Sequence, residues 1–177
     1  MARLRYVNPD LGDTETLGPL VERIREQRSG KLLELYRMLL HSPPVADGWL
    51  HLGTAVRYQA ALDGRSRELA ICRVGQLNGA RYEWDHHVPL ARREGVSEEQ
   101  LEALSDWPSS VHFDARQRAL LAYADAMTRD VAVPDEIFDP LTEHFDEREV
   151  VELTATIAFY NMVSRFLVAL TIEDEKP

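Results

Sequence analysis

The sequence predicts an all-α protein, a bundle of seven to eight helices. Three observations lead to this prediction. Apolar residues recur three and four positions apart through most of the chain, several segments open with helix-capping patterns, and strand signals are nearly absent. With 177 residues, of which 45% are hydrophobic, the chain is long enough for one buried core, so we expect a single domain over residues 1–177.

Turn residues mark the limits of the first helices. Gly30 and Pro43-Pro44 bracket a helix near residues 31–41, and Asp63-Gly64 ends another helix that begins around residue 45.

The next two helices, 66–77 and 81–93, form a pair interrupted by Asn78-Gly79. Asn and Gly most readily adopt the left-handed conformation that ends a helix, so we expect a kink there.

Three later helices begin with the pattern of a capping box: Ser97 with Gln100, Asp114 with Gln117, and Asp146 with Glu149. The second of these helices covers 115–129, and the third runs to about residue 170. The run Val131-Ala132-Val133-Pro134 alternates like a strand but is short and ends in proline, which favours an extended connector. The acidic tail 173–177 is expected to fray.

The formal net charge of −10 argues against nucleic acid or an anionic membrane as a partner, because both attract clustered Lys and Arg. No apolar segment follows the first residues, and no run of about 18 apolar residues occurs, so neither a signal peptide nor a membrane span is expected. We therefore expect a cytoplasmic protein. Cys72 is the only cysteine, which excludes an intrachain disulfide, and its apolar neighbours favour a buried, inert thiol.

The segment from Asn78 to His87 contains the strongest candidate site. Glu83 and His87 are four residues apart, so on a helix they share a face and can act on one ligand as an acid/base pair. The helix start near Glu83 would also offer backbone N–H groups and a positive dipole end to an anion. The alternative is a solvated Glu–His pair on the helix surface.

Two segments resemble the carboxymuconolactone decarboxylase family. They are Arg67-Glu68-Leu69-Ala70 followed by Asn78-Gly79 and the Glu-x-x-x-His pair, and Tyr160-Asn161 with Arg165-Phe166 in the last helix. The resemblance covers residues 63–104 and 157–170. In the redox branch of this superfamily, the AhpD-like alkylhydroperoxidases, a Cys-x-x-Cys pair occupies the positions of Ala80 and Glu83, and this chain lacks both cysteines.

The resemblance implies an AhpD-like helical bundle that assembles into a homotrimer or homohexamer and needs neither metal nor organic cofactor. It implies decarboxylation, or a related proton transfer, on a small carboxylated lactone or keto acid. The implied catalytic residues are Glu68, Glu83 and His87. His87 would transfer the proton, Glu83 would set its protonation or act as the partner acid, and Glu68 would complete a relay.

The candidate substrate-binding residues are Tyr82, Trp84, Asn161 and Arg165. A purely structural role between helices or subunits is the alternative for Asn161 and Arg165, because polar groups close to an apolar helix face need partners.

Several alternatives stay open. His86 could face the site instead of His87. Glu83-x-x-His86 also matches the repeated unit of di-iron bundles, but no other histidine follows a glutamate by three residues, so only a symmetric oligomer would supply a second unit. An AhpD-like peroxidase is disfavoured by the missing cysteines. A non-catalytic, oligomeric ligand-binding protein of the same fold is the third possibility.

Overall fold

The computed structural model describes residues 1–9 and 14–175, so Lys176 and Pro177, at the end of the tail expected to fray, lie outside it. The described residues form nine α-helices and no strand, which confirms the all-α class. The helices are α1 (Thr14–Gln27), α2 (Glu34–Leu39), α3 (Pro43–Thr54), α4 (Gly64–Leu77), α5 (Arg81–Arg93), α6 (Glu98–Ala103), α7 (Ala115–Arg129), α8 (Asp135–Thr142) and α9 (Glu147–Leu170).

The chain divides into two compact units. The first unit comprises residues 1–59 and 167–177, with α1, α2, α3, a π-helical turn at Ala55–Gln59 and the end of α9. The second unit comprises residues 60–166, with α4 to α8 and most of α9. A single domain over the whole chain stays a prediction.

Helix α4 forms the core of the second unit, where it packs against α5 and α7. Its apolar residues Leu69, Ala70, Ile71 and Val74 are fully buried. Arg73 of α4 is also buried, at 3% exposed, and it donates two hydrogen bonds of 2.6 and 2.7 Å to Asp125 of α7. A paired guanidinium of this kind fixes the rotation of α4 about its axis, and with it the direction of the other α4 side chains.

The turn between α4 and α5 confirms the predicted kink. Gly79 has a positive φ of 63°, the left-handed conformation that glycine adopts without a steric penalty. The N–H of Gly79 donates to the Gln76 carbonyl at 3.2 Å, and the N–H of Ala80 donates to the Gly75 carbonyl at 2.8 Å. These two bonds make a Schellman motif, which ends α4 and lets α5 return along it.

The capping boxes predicted at Ser97, Asp114 and Asp146 are all formed, and α5 and α7 have the predicted bounds. The predicted helix near 31–41 is shorter, spanning only Glu34–Leu39. Helices α1 and α8 were not predicted, and α8 begins after Pro134 without a side-chain cap.

Helix α9 is long and apolar enough to cross a membrane when length and composition alone are considered. Half of its most apolar stretch is buried inside the protein, however, as in the core helix of a soluble protein. Its 24 residues instead contribute Tyr160, Asn161 and Ser164 to the interior.

Candidate active site

A carboxylate and an imidazole meet between α4 and α5. Oε2 of Glu68 lies 2.7 Å from Nδ1 of His87, and the two residues are 2% and 7% exposed. Glu68 is one turn into α4 and His87 is in the middle of α5, so the packing of these helices creates the contact. Helical spacing predicted Glu83 as the neighbour of His87; the structure brings Glu68 to Nδ1.

Two further contacts hold this pair in place. Nε of Arg67 lies 3.3 Å from the second oxygen of Glu68, so a positive charge stands beside that carboxylate. The ring of His87 meets the ring of Tyr160 edge-on, with centroids 5.0 Å apart and planes at 86°. An aromatic contact of this geometry restricts imidazole rotation, which keeps Nδ1 facing Glu68.

Glu83 is the second buried carboxyl group, and its partner is Ser164 of α9. It lies in the first turn of α5 and is 2% exposed, while Ser164 is fully buried and donates a hydrogen bond to Oε2 of Glu83. Burial raises the pKa of Glu83 to about 8, against the opposing effects of Ser164 and of the nearby His86. Glu83 is therefore largely protonated at neutral pH and can donate a proton or a hydrogen bond.

The thiol of Cys72 is buried close enough to Glu68 and Glu83 for their charges to act on it. It is 1% exposed, which confirms the predicted burial. Burial raises its pKa, and the charges of Glu68 and Glu83 raise it further. A thiol held in its protonated form is a poor nucleophile.

The two neighbouring histidines have different surroundings. His87 contacts Glu68, whereas His86 stacks on Tyr82 with ring centroids 4.1 Å apart. Nδ1 of His86 also lies 2.8 Å from the Tyr82 carbonyl oxygen. Tyr82 itself is buried, at 7% exposed.

Trp84 lines a groove at the start of α5. The groove has a volume of about 420 Å³ and is bordered by Gly79, Arg81, Asp85 and the end of α4. Trp84 is half-buried there, and none of Glu68, Glu83 and His87 borders the groove. The structure therefore places Trp84 on a different surface of α5 from the buried acid/base groups.

Asn161 and Arg165, the candidates on α9, are in contrasting positions. The Asn161 side-chain amide donates to Thr128 and to the Ile157 carbonyl, both at 3.0 Å, and its oxygen accepts from Asn78 at 3.0 Å. It thus ties α9 to α7 and to the α4–α5 turn, which matches the structural alternative. Arg165 is exposed.

Comparison with known proteins places this arrangement in a family. The sequence profile of the carboxymuconolactone decarboxylase family matches residues 43–126. The uncharacterized protein YdfG of Bacillus subtilis is 30% identical over 114 residues, which span 63% of this chain and 78% of that protein. The chain belongs to the carboxymuconolactone decarboxylase family. The matched residues include Glu68, His87 and the turn between α4 and α5.

Solved structures of other proteins share this fold. A protein of unknown function from Agrobacterium tumefaciens, likened to the antioxidant defence protein AhpD, superposes with a TM-score of 0.72 at 29% identity, covering 77% of this chain and 94% of that one. The debrominase Bmp8 superposes with a TM-score of 0.78 at 20% identity, covering 96% and 90%. At 20% identity, the similarity to Bmp8 shows a shared fold only.

Within the family, this chain departs from the redox branch at two buried positions. Ala80 is the N-terminal cap residue of α5 and Glu83 lies in its first turn, and both are 2% exposed. A Cys-x-x-Cys pair would occupy these two places. Here one thiol position is filled by a methyl group and the other by a carboxyl group bonded to Ser164.

Among the side chains of residues 1–9 and 17–175, no group of three or more His, Cys, Asp or Glu is arranged to hold a metal ion.

The sequence analysis did not identify Ser164 as the partner of Glu83. The only signal for it was its place on the buried stripe of α9 one turn after Tyr160, and a lone serine there is ordinary.

Proposed function

We propose that this protein is a cofactor-free enzyme of the carboxymuconolactone decarboxylase type, which removes CO₂ from a small carboxylated lactone or keto acid or catalyses a related proton transfer on it. The observation that carries the proposal is the buried 2.7 Å contact between Glu68 and Nδ1 of His87. A carboxylate on one imidazole nitrogen orients the ring and makes the other nitrogen the one that exchanges a proton with a substrate.

The three groups have separate roles in this proposal. His87 transfers the proton through Nε2, and Glu68 fixes the tautomer and supports the positive charge when the ring is protonated. Glu83 supplies a neutral carboxyl group, because burial keeps it protonated at neutral pH. A neutral acid inside the protein can donate a hydrogen bond to a developing oxyanion without introducing a repelling charge.

The reaction needs no added oxidant or metal. The bond between the substrate carbon and its carboxylate breaks, CO₂ leaves, and the electron pair passes into the conjugated lactone or the neighbouring carbonyl. The enolate that results takes a proton at carbon, which returns the substrate to a neutral ring or ketone. Acid/base assistance of this kind contributes about 10²–10⁴-fold to a rate.

A peroxidase is the second candidate, and the likeness to the AhpD-like protein of Agrobacterium tumefaciens favours it. Thiol peroxidases work through a reactive thiolate and a second thiol. This chain has a single cysteine, which is buried with a raised pKa. A non-catalytic ligand-binding protein is the third candidate, and it would bind the same acids without turning them over.

The test is to incubate the purified protein with a panel of carboxylated lactones and β-keto acids and to measure CO₂ release. Exchange of carbon-bound hydrogen in D₂O detects the related proton transfers. A parallel arm measures dithiol-dependent consumption of hydroperoxides by wild type and by Cys72→Ala. CO₂ release or carbon exchange supports the proposal. Peroxide turnover that disappears with Cys72 would overturn it, and binding without any turnover would favour the non-catalytic alternative.

A further inference from the structure

Arg28 is a buried cation in the first unit, directly after the end of α1. It is 6% exposed, and a guanidinium keeps its charge at physiological pH. Its hydrogen bonds go to neutral acceptors only. Nε donates to the Tyr36 hydroxyl at 3.1 Å, and Nη1 donates to the Gln27 carbonyl at 2.7 Å and to the Thr54 hydroxyl at 3.2 Å.

Among the side chains of residues 1–9 and 17–175, no carboxylate lies within ion-pair distance of Arg28. Other arginines that are partly or fully buried are neutralised: Arg37 pairs with Glu34 at 2.7 Å, and Arg73 pairs with Asp125 at 2.6 Å. Tyr36 cannot serve as a counter-ion, because burial raises its pKa and keeps the phenol neutral. The positive charge of Arg28 is therefore surrounded by dipoles and aromatic rings.

A second cation and a second phenol extend this cluster. The Tyr58 ring has the guanidinium of Arg28 at 5.7 Å from its centroid and that of Arg57 at 5.1 Å, while Arg28 is also 5.4 Å from the Tyr36 ring. Arg57 and Tyr58 are carried by the π-helical turn, a local distortion often found at functional sites. Tyr58 is 57% exposed, so one wall of the cluster faces solvent.

Burying a guanidinium without a counter-ion is unfavourable, because the charge loses its hydration and gains no opposite charge in return. The Gln27 carbonyl at the negative end of α1 and the tyrosine faces offset part of that cost. The hydrogen bonds described above involve only Nε and Nη1 of the guanidinium. Within the described residues, nothing accepts a hydrogen bond from Nη2 of Arg28, so its two N–H donors can serve a ligand.

We propose that Arg28, Thr54, Tyr36 and Tyr58 form a binding site for the carboxylate of a small molecule. The planar carboxylate matches the geometry of the guanidinium edge and supplies the negative charge that Arg28 lacks among the described residues. The exposed Tyr58 ring offers a flat apolar surface to the rest of the ligand. The site lies within residues 1–59, and it stands whether or not the buried acid/base groups of the second unit are catalytic.

Sodium benzoate is the probe, and benzamide is its neutral match in size and shape. Binding is measured by isothermal titration calorimetry at fixed ionic strength, with inorganic phosphate as a third ligand. The variants are Arg28→Met and, as the matched control, Arg25→Met, whose guanidinium already pairs with Glu22 at 2.8 Å. Tyr58→Ala, at an exposed position, gives a second variant in case Arg28→Met does not fold.

We expect saturable benzoate binding without benzamide binding. Arg28→Met should weaken it at least about tenfold, as the loss of a charge-assisted hydrogen bond would. Tyr58→Ala should weaken it several-fold, and Arg25→Met should leave it unchanged. Equal affinity for benzoate and benzamide, tighter binding of phosphate than of benzoate, or unchanged affinity in Arg28→Met and Tyr58→Ala would each overturn the site. Absence of benzoate binding together with a lower oligomer mass for Arg28→Met would assign the counter-ion to a second copy of the chain instead.

Discussion

Glu83 lies at a position where two influences on a carboxyl group oppose each other. The first turn of α5 favours a negative charge through the helix dipole, whereas enclosure at 2% exposure favours the neutral acid. Burial dominates and brings the pKa to about 8 from an ordinary 4.5. Between pH 4.5 and about pH 8, the unfolded chain releases the Glu83 proton whereas the folded protein keeps it. The free energy of unfolding therefore falls as the pH rises through this interval.

Replacing Glu83 with Gln should remove this pH dependence. Below pH 4.5 both states of the wild type hold the proton, and up to about pH 8 the folded state alone keeps it, so wild-type stability falls over that interval. Relative to wild type, Glu83→Gln should gain up to about 1.4 kcal/mol per pH unit across it. Urea unfolding at pH 5 and pH 8 measures the difference, with the exposed Glu102→Gln as control. Parallel pH profiles for Glu83→Gln and wild type would show that Glu83 is ionised in the folded protein.

At this scale the sequence predicted part of the candidate site. Glu68, Glu83 and His87 could be named from helical spacing and family resemblance, and all three are buried. The hydrogen bond between Ser164 and Glu83 was not predictable, because the two residues are 81 positions apart and no local sequence pattern connects them. The lack of a carboxylate beside Arg28 was not predictable either, because a sequence identifies a charged residue but not which side chains surround it in the fold.

The α4–α5 pair depends on a close approach at Gly75. A Cβ atom built there would lie 3.3 Å from Cβ of Glu83, a tighter contact than most side chains make. Glycine at this point of α4 therefore allows α5 to bring Glu83 inward, which links the backbone of one helix to the candidate site on the other.

Gly75→Ala should destabilise the protein, in contrast to the usual effect of this substitution in a helix. Alanine gains about 0.8–1.0 kcal/mol of helix propensity, but overpacking a tight interface costs about 1–3 kcal/mol. Gly48→Ala in α3 is the control, since its new methyl group would meet no atom within 4 Å, and it should be neutral or stabilising. Chemical denaturation of both variants measures the effect. A gain in stability from Gly75→Ala equal to that of Gly48→Ala would mean that the two helices can separate without cost.

Elements with explicit start and stop signals were predicted well. The Schellman turn at Gly79 and the capping box at Asp114 set the bounds of α5 and α7 through local hydrogen bonds, and local bonds are readable from a sequence. Helix α8 has no side-chain cap and contains Pro140, so its stability comes from tertiary contact with α7. Patterns along the chain cannot report that contact.

For the whole molecule, α9 carries an exposed face that suggests assembly. Val151 and Met162 are 66% and 41% exposed, and Ala155 and Ala158 lie between them on the same face at spacings of three and four. Apolar side chains aligned in this way are typical of a helix that packs against another subunit.

We predict that the protein is a trimer or a multiple of three in solution, as the family resemblance implies. Light scattering with size exclusion at micromolar concentration measures the mass. Met162→Glu should lower the mass by placing a charge on the exposed face of α9, whereas Val111→Glu, in a loop where the side chain is 89% exposed, should not. A strictly monomeric wild type, or equal masses for all three proteins, would exclude α9 as the contact.

We propose that His87, oriented by Glu68, transfers the proton. The most direct test of this role is the rate of CO₂ release, on the best substrate of the panel, for wild type, His87→Ala, Glu68→Gln and His86→Ala. We expect His87→Ala to lose at least about 10²-fold and Glu68→Gln to follow in the same direction, with helicity by circular dichroism unchanged. His86→Ala, which changes the ring stacked on Tyr82, should stay within a few-fold of wild type. Equal losses for the His86 and His87 variants, or full activity in His87→Ala, would contradict this role of His87.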